Sequence, residues 1–272
     1  MSYVSGGTLY VDSPVNFGGS PGTFYGTSYS GVNILSGGEI YGSGTINSGG
    51  NIVVSSSGEF NGNATVSSGA TVEFKSGSIV GSSSSGYTSA TLTLLSGGTL
   101  IVDSGAQQYT GKNYILSGGT ISAYKDLGTV TWTNAGGTII VESGVSLSES
   151  PVSGAAIIKV NSGGTLSGGT FVSGNTVAVY AGGVTSNIIA SSGAGVGIQG
   201  TGSNVTINTG ATLEIASGGL VEGSTLNGGS GYIDSGASLT TTTIQNSSIV
   251  TISGGASASN LTLKSLGSVQ VN

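Results

Sequence analysis

The sequence has no cysteine and no histidine. The first absence excludes disulfides, thiolate metal ligands and thiol nucleophiles together. The second excludes a Ser-His-Asp arrangement, however many serines the chain carries. Proline occurs three times in 272 residues, and the glycines follow no G-X-Y period, so a collagen-like chain is excluded. Charged residues make up 6% of the chain, against about 25% in ordinary globular proteins. Joined to a mean hydropathy of +0.27, this scarcity argues against disorder, which needs high charge and low hydrophobicity.

The basic residues are five scattered lysines, Lys75, Lys112, Lys125, Lys159 and Lys264, against eleven acidic residues and a net charge of −6. No basic stripe exists to neutralise phosphates, so nucleic-acid binding is not expected. No apolar run approaches the roughly 20 residues of a membrane span, so no membrane insertion of this segment is expected. The opening MSYVSGGTLYVDS has neither the basic nor the apolar region of a signal peptide. It begins directly with a repeat, as an expression start or the start of a protein exported by another route would.

What is abundant is glycine, 53 of 272 residues, roughly three times the usual share, and it recurs inside one short phrase. The copies are SGGTLYVDS (5–13), SGGNIVVSS (48–56), SGATVEFKS (68–76), SGGTLIVDS (96–104), AGGTIIVES (135–143) and TGATLEIAS (209–217). The fifth and seventh residues of each are apolar: Leu9 and Val11, Ile52 and Val54, Val72 and Phe74, Leu100 and Val102, Ile139 and Val141, Leu213 and Ile215. Alternation with period two predicts strands with one buried face. The leading Ser-Gly-Gly or Ser-Gly-Ala predicts a turn where positive φ is cheap. Apolar spacing of two and frequent glycine exclude helix.

Most copies lie near multiples of 19–20 residues apart, the signature of a solenoid in which each coil stacks about 4.8 Å from the last. A second phrase alternates with the first: SGGEIYGS (36–43), SGGTLSGG (162–169) and SGGLVEGS (217–224). In it Gly42, Gly168 and Gly223 replace the second buried residue, as a corner or a narrow part of the coil would require. The expected fold is all-β, a parallel β-solenoid (right-handed β-helix) of about 19–20 residues per coil. It is expected to form a single domain over 1–272, with irregular insertions near 14–31, 81–90, 105–114 and 145–156.

From Ile34 onward, the alternation of S-G-G-T-[LI]-x-V with S-G-G-x-x-x-G-[ST] resembles the passenger repeats of AIDA-type autotransporter adhesins and their self-associating relatives. The resemblance implies a structural or adhesive β-solenoid on a bacterial cell surface or secreted. Its work would be cell adhesion or self-association, with copies of itself or a host or bacterial surface as partner. It also implies O-linked glycosylation on Ser or Thr, since family passengers carry heptose there. The family's signal peptide and membrane β-barrel have no counterpart in these 272 residues, so the expectation is an excerpt of a passenger or a repeat protein with another export route.

No enzyme is expected. Asp12, Asp103 and Glu142 share a column, but their separations correspond to roughly five and two coils, or about 24 and 10 Å. Glu73 and Glu214 share another column about seven coils apart. Only Asp103 with Glu142 approaches the roughly 5–10 Å of a glycosidase pair, and that position faces solvent. The literal G-x-G-x-x-G at Gly195–Gly200 (GVGIQG) is followed by a turn and a strand, not by the helix a dinucleotide site needs. GGSGYID (228–234) has its aspartate one position late for a calcium nonapeptide and occurs once. The threonine column lacks the adjacent partner column that ice binding wants. No cofactor and no metal site are therefore expected.

Two alternatives to the adhesive reading stand. One is a phage-tailspike-like or other carbohydrate-active or carbohydrate-binding β-helix. The other is a free-standing subunit of an end-to-end stacked filament. Tyrosines in the irregular segments, Tyr25, Tyr29, Tyr87, Tyr109 and Tyr114, are the candidate interaction surface, because a phenol offers a flat apolar face with a polar tip. Tyr3 and Tyr10 at one end, with Val269 and Val271 in the apolar strand at the other, are the candidate end-stacking residues, since little there blocks edge pairing.

Overall fold

A computed structural model of the 272-residue chain describes residues 7–11, 14–16, 29–81, 90–108, 112–128, 130–133, 135–148 and 154–272. Its contacts divide the chain into two compact units, Met1–Thr138 and Ile139–Asn272. Both are built of short parallel strands stacked as a β-solenoid, and no helix occurs among the described residues.

In the first unit, the repeated phrase forms one strand per coil. Asn51–Val54 pairs with Thr71–Phe74, which pairs with Thr99–Val102, so that Ile52, Val72 and Leu100 stand in one column and Val54, Phe74 and Val102 in the next. Period two sends both columns inward, and Val, Ile and Thr suit the pleat. Of the twelve apolar phrase residues, the ten whose side chains are described are buried; those of Leu9 and Val11 lie outside the described set. Phe60 and Phe74 meet in this core with ring centroids 5.8 Å apart.

The Ser-Gly-Gly turn is explained by stacking. At Ser96-Gly97-Gly98, Gly97 adopts φ 79° and carries no Cβ, which would otherwise lie 2.5 Å from the Ser68 Oγ of the coil below. A Cβ on Gly98 would lie 2.4 Å from the Val66 carbonyl oxygen. The turns also hydrogen-bond to one another: Gly49 N–H donates to Gly69, and Gly69 N–H to Gly97. The phrase recurs because each coil must present the same small, left-handed turn to its neighbour.

The second sheet of this unit contains strands Glu39–Ile46 and Glu59–Val66, paired over all eight residues. Gly42 stands beside Gly62 within these strands, so the second phrase makes no corner here. Phase is then interrupted. Ile79–Val80 and Ala90–Leu95 both pair with the single strand Glu59–Val66, and the extra residues between them account for the 28-residue step from Val72 to Leu100. The segment expected as an insertion near 81–90 lies, but for its two end residues, outside the described residues. The other expected insertions contribute strands. Pro14–Asn16 pairs with Glu39–Tyr41, Gln107–Gln108 with Ile79–Val80, and Ser146–Ser148 with Thr165–Ser167. Their alternation was too short to register against the repeated phrase.

The second unit has three strands per coil. One column of strands includes Thr176–Val179, Gly195–Ile198, Thr212–Ile215 and Ser230–Ile233. Steps along it are 19 residues (Val177 to Val196), 17 (Val196 to Leu213) and 18 (Leu213 to Gly231). A second column includes Val184–Ser186, Thr201–Ser203 and Leu220–Glu222; a third includes Ile189–Ala190, Thr206–Asn208 and Thr225–Asn227. Between the second and third, the chain turns at Gly168, Asn187, Asn204, Gly223, Thr241 and Asn260, all with φ from 51° to 78°. Glycine and asparagine tolerate this left-handed region best. Gly168 and Gly223 therefore do form the expected corner. Inside the three sheets, Val177, Leu166, Phe171, Val196, Ile207, Leu213, Val221 and Leu226 are all buried.

Candidate functional site

With apolar residues committed inward, function must reside on the outward columns. In the second unit these are rich in hydroxyls and amides. Along one sheet they include Ser167, Ser186 and Ser203, with Ser186 Oγ 3.5 Å from Ser167 Oγ. At the end of the third strand column an asparagine ladder runs from coil to coil. Asn208 Nδ2 donates to Ser191 Oγ at 3.0 Å, Asn227 Nδ2 to Asn208 Oδ1 at 3.0 Å, and Asn246 Nδ2 to Asn227 Oδ1. Asn204 Nδ2 donates likewise to Asn187 Oδ1 at 3.3 Å.

The tyrosines expected to form an interaction surface fall differently. Tyr114 is a correction. It lies in strand Lys112–Ser117 between Leu92 and Val130, and it is fully buried. Its ring continues an inward column, so it offers no face to a partner; burial pushes its phenol pKa upward. Tyr29 and Tyr10 lie on strands Tyr29–Ile34 and Gly7–Val11, with side chains outside the described set. Tyr3, Tyr25, Tyr87 and Tyr109 lie outside the described residues. Val269 and Val271 lie on strand Ser268–Val271, paired to Ile249–Ile252; Val269 is half-buried and Val271 is 75% exposed.

The carboxylates that the structure brings together are Glu39 and Glu59. They stand in register on adjacent strands, and Asn61 Nδ2 donates to Glu39 Oε1 at 2.7 Å and to Glu59 Oε2 at 3.3 Å. Sequence reasoning missed this pair, although SGGEI and SSGEF repeat the acid at a 20-residue step. Glu39 and Asn61 are buried, so the cluster is an internal polar contact shared through one amide. Elsewhere Lys75 donates to Glu73; that hydrogen bond raises the lysine pKa, and Asp103 acts in the same direction. The pair is exposed and contributes little. Among the described residues no three His, Cys, Asp or Glu converge as a metal site, and no helix is long and apolar enough to cross a membrane.

One concave feature sits on the outward face of the second unit. Two adjoining hollows, of about 200 and 190 Å³, share Ala178, Gly197 and Glu214. Their floor is the GVGIQG segment, whose Gly195 and Gly197 point outward between Thr176 and Thr212 and between Ala178 and Glu214. Tyr180 and Gln199 border one side. Tyr232 stands beside Glu214, one strand further from Gly197. Tyr180 and Tyr232 are 43% and 49% exposed. The signal for both tyrosines was present in the alternation itself, since each flanks a buried residue of its strand and so must point outward.

The class defined by these strands is the parallel β-solenoid, built as an outward-patterned scaffold. A solved structure shares it: the crystal structure of a TibC-catalysed hyper-glycosylated fragment of TibA, residues 55–350. The match has a TM-score of 0.56 and 24% identity and covers 97% of each chain. TibA is an AIDA-type autotransporter adhesin, so the fold implied by the repeated phrases is the fold found. At this identity the likeness is one of fold. No protein-family model matches the chain, and no curated protein is significantly similar to it.

Proposed function

We propose that the chain is an adhesive and structural module of a bacterial surface, displayed or secreted, which associates with copies of itself or with another surface and catalyses no reaction. The observation that carries this reading is the set of outward columns of Ser, Thr and Asn held in register from coil to coil. Such a face offers donors and acceptors at a regular spacing, which a second face of the same kind can meet hydrogen bond for hydrogen bond. Sparse charge, 6% of residues, leaves little repulsion between neighbouring copies. The fold likeness to a hyper-glycosylated TibA fragment supports O-linked glycosylation on the many exposed serines and threonines.

The test is display of the chain on non-clumping cells. Clumping or surface attachment above an empty-display control is expected, with a loss when Ser186→Arg and Ser203→Arg put like charges on one outward column. Cells that neither clump nor attach would refute the adhesive reading. Release of new reducing ends from any polysaccharide, abolished by Glu59→Gln, would refute its non-catalytic half.

A further inference from the structure

We infer that the hollow over Gly195 and Gly197 is a binding site for one ring of a neutral or amino sugar, separate from the hydroxyl columns proposed for self-association. The two glycines are the starting point. Glycine within a strand weakens it, and it persists where the backbone needs positive φ, where a side chain would clash, or where a ligand or another backbone comes close. Neither residue has positive φ, and a Cβ on either would meet nothing within 4 Å. Nearby glycines differ. A Cβ on Gly200 would lie 2.2 Å from the Gly183 carbonyl oxygen, and one on Gly202 would lie 2.6 Å from Ile198 Cδ1. Folding therefore accounts for Gly200 and Gly202 but not for Gly195 and Gly197. What the latter pair does is leave space.

The walls say what would fill it. Ala178 and the two glycines make a smooth floor. Tyr180 presents an exposed phenol at the side, suited to the C–H face of a pyranose. Gln199, Glu214, Thr176 and Thr212 are all exposed around the floor, so an amide, a carboxylate and two hydroxyls are available to sugar hydroxyls. The Glu214 carboxylate, in register with Gly197, gives the stronger, charge-assisted kind of hydrogen bond. Each of the two adjoining hollows, at about 200 and 190 Å³, is smaller than a drug-sized pocket, which fits a single ring of a longer glycan passing over the surface. Glu214 disfavours acidic sugars, and Lys159 is two strands from Gly197, on the far side of Ala178. A second copy of this face would bring Glu214 against its like, and hollows of this size give a peptide side chain little to anchor in.

The experiment is saturation-transfer NMR on the full chain. The probes are the methyl glycosides of glucose, galactose, mannose, N-acetylglucosamine and glucosamine at millimolar concentration, with N-acetylneuraminic acid as the acidic comparison. Transfer to at least one neutral or amino sugar is expected. Gly197→Thr, which fills the floor with a good strand former, should abolish it while leaving the thermal midpoint unchanged or higher. Tyr180→Ala should weaken binding about tenfold, the worth of one ring contact. Gln199→Ala, on the exposed rim, gives a third reading that does not threaten folding and should also weaken binding. Absence of transfer from every neutral and amino sugar overturns the inference. So does transfer undiminished in Gly197→Thr, or a preference for the acidic sugar. Clumping of displayed cells is scored separately, so loss of sugar binding with clumping intact refutes this site alone.

Discussion

Replacing Tyr114 by Phe should stabilise the first unit. The Tyr114 ring is fully buried, and its hydroxyl has no hydrogen-bond partner among the described residues. A buried, unpaired polar group costs about 1–3 kcal/mol in lost solvation. Phenylalanine keeps the ring and its packing against Leu92 and Val130 and removes only the oxygen. A small void offsets part of the gain, so about 1–2 kcal/mol of added stability is expected. The assay is urea unfolding followed by the fluorescence of Trp132, the one tryptophan, whose strand residue pairs with Leu116 two positions from Tyr114. This reports on the unit that contains the substitution, so the reading does not depend on the whole chain unfolding in one step.

Alkaline pH supplies a second reading of the same variant. Burial raises the Tyr114 phenol pKa in the folded chain, whereas the unfolded phenol ionises near its ordinary value of about 10. The unfolded state therefore loses its proton first. The contribution of the neutral phenol is fully present below about pH 10 and is lost as pH rises above it. Tyr114→Phe has no such group, so its advantage over the parent should widen above about pH 10. A variant less stable than the parent, or an advantage that does not grow with pH, would show that the hydroxyl is satisfied and the reasoning wrong.

Four further outcomes are expected. Phe74→Ala, which removes a ring packed on Phe60, should cost about 3–5 kcal/mol, seen as a lower urea midpoint by Trp132 fluorescence. Gly98→Ala and Gly195→Ala should have opposite signs in thermal melts. The first puts a methyl against the Val66 carbonyl and should destabilise by about 1–3 kcal/mol; the second meets open space and should stabilise by about 0.5–1 kcal/mol. Asn227→Ala breaks the amide ladder on both sides and should cost about 1 kcal/mol in urea, whereas Asn227→Gln should recover part of it. If copies stack end to end through strand Ser268–Val271, Val269→Lys with Val271→Lys should abolish concentration-dependent association in sedimentation; association unchanged by the pair refutes that contact.

The repeated phrase by itself determined the strands, their inward face and the turns between them. Val72, Phe74, Leu100 and Val102 are buried because alternation with period two leaves a strand one apolar side, whatever lies around it. Ser-Gly-Gly marks the turn because few other residues fit a left-handed corner beneath another coil. Which coil lies beneath a residue was not local information. The steps between stacked residues run from 17 (Val196 to Leu213) to 28 (Val72 to Leu100), so a fixed 20-residue ruler mislays neighbours. That is why SGGEIYGS passes straight through a strand at Gly42 while SGGLVEGS turns a corner at Gly223. It is also why Tyr114, beside an irregular segment, belongs to the core. The hollow depended on the same fact. GVGIQG yields a depression only because Ala178, Glu214 and Tyr180 are set around it by the coils on either side. Alternation along a strand decides which way a side chain points, and only the register between coils decides what it meets there.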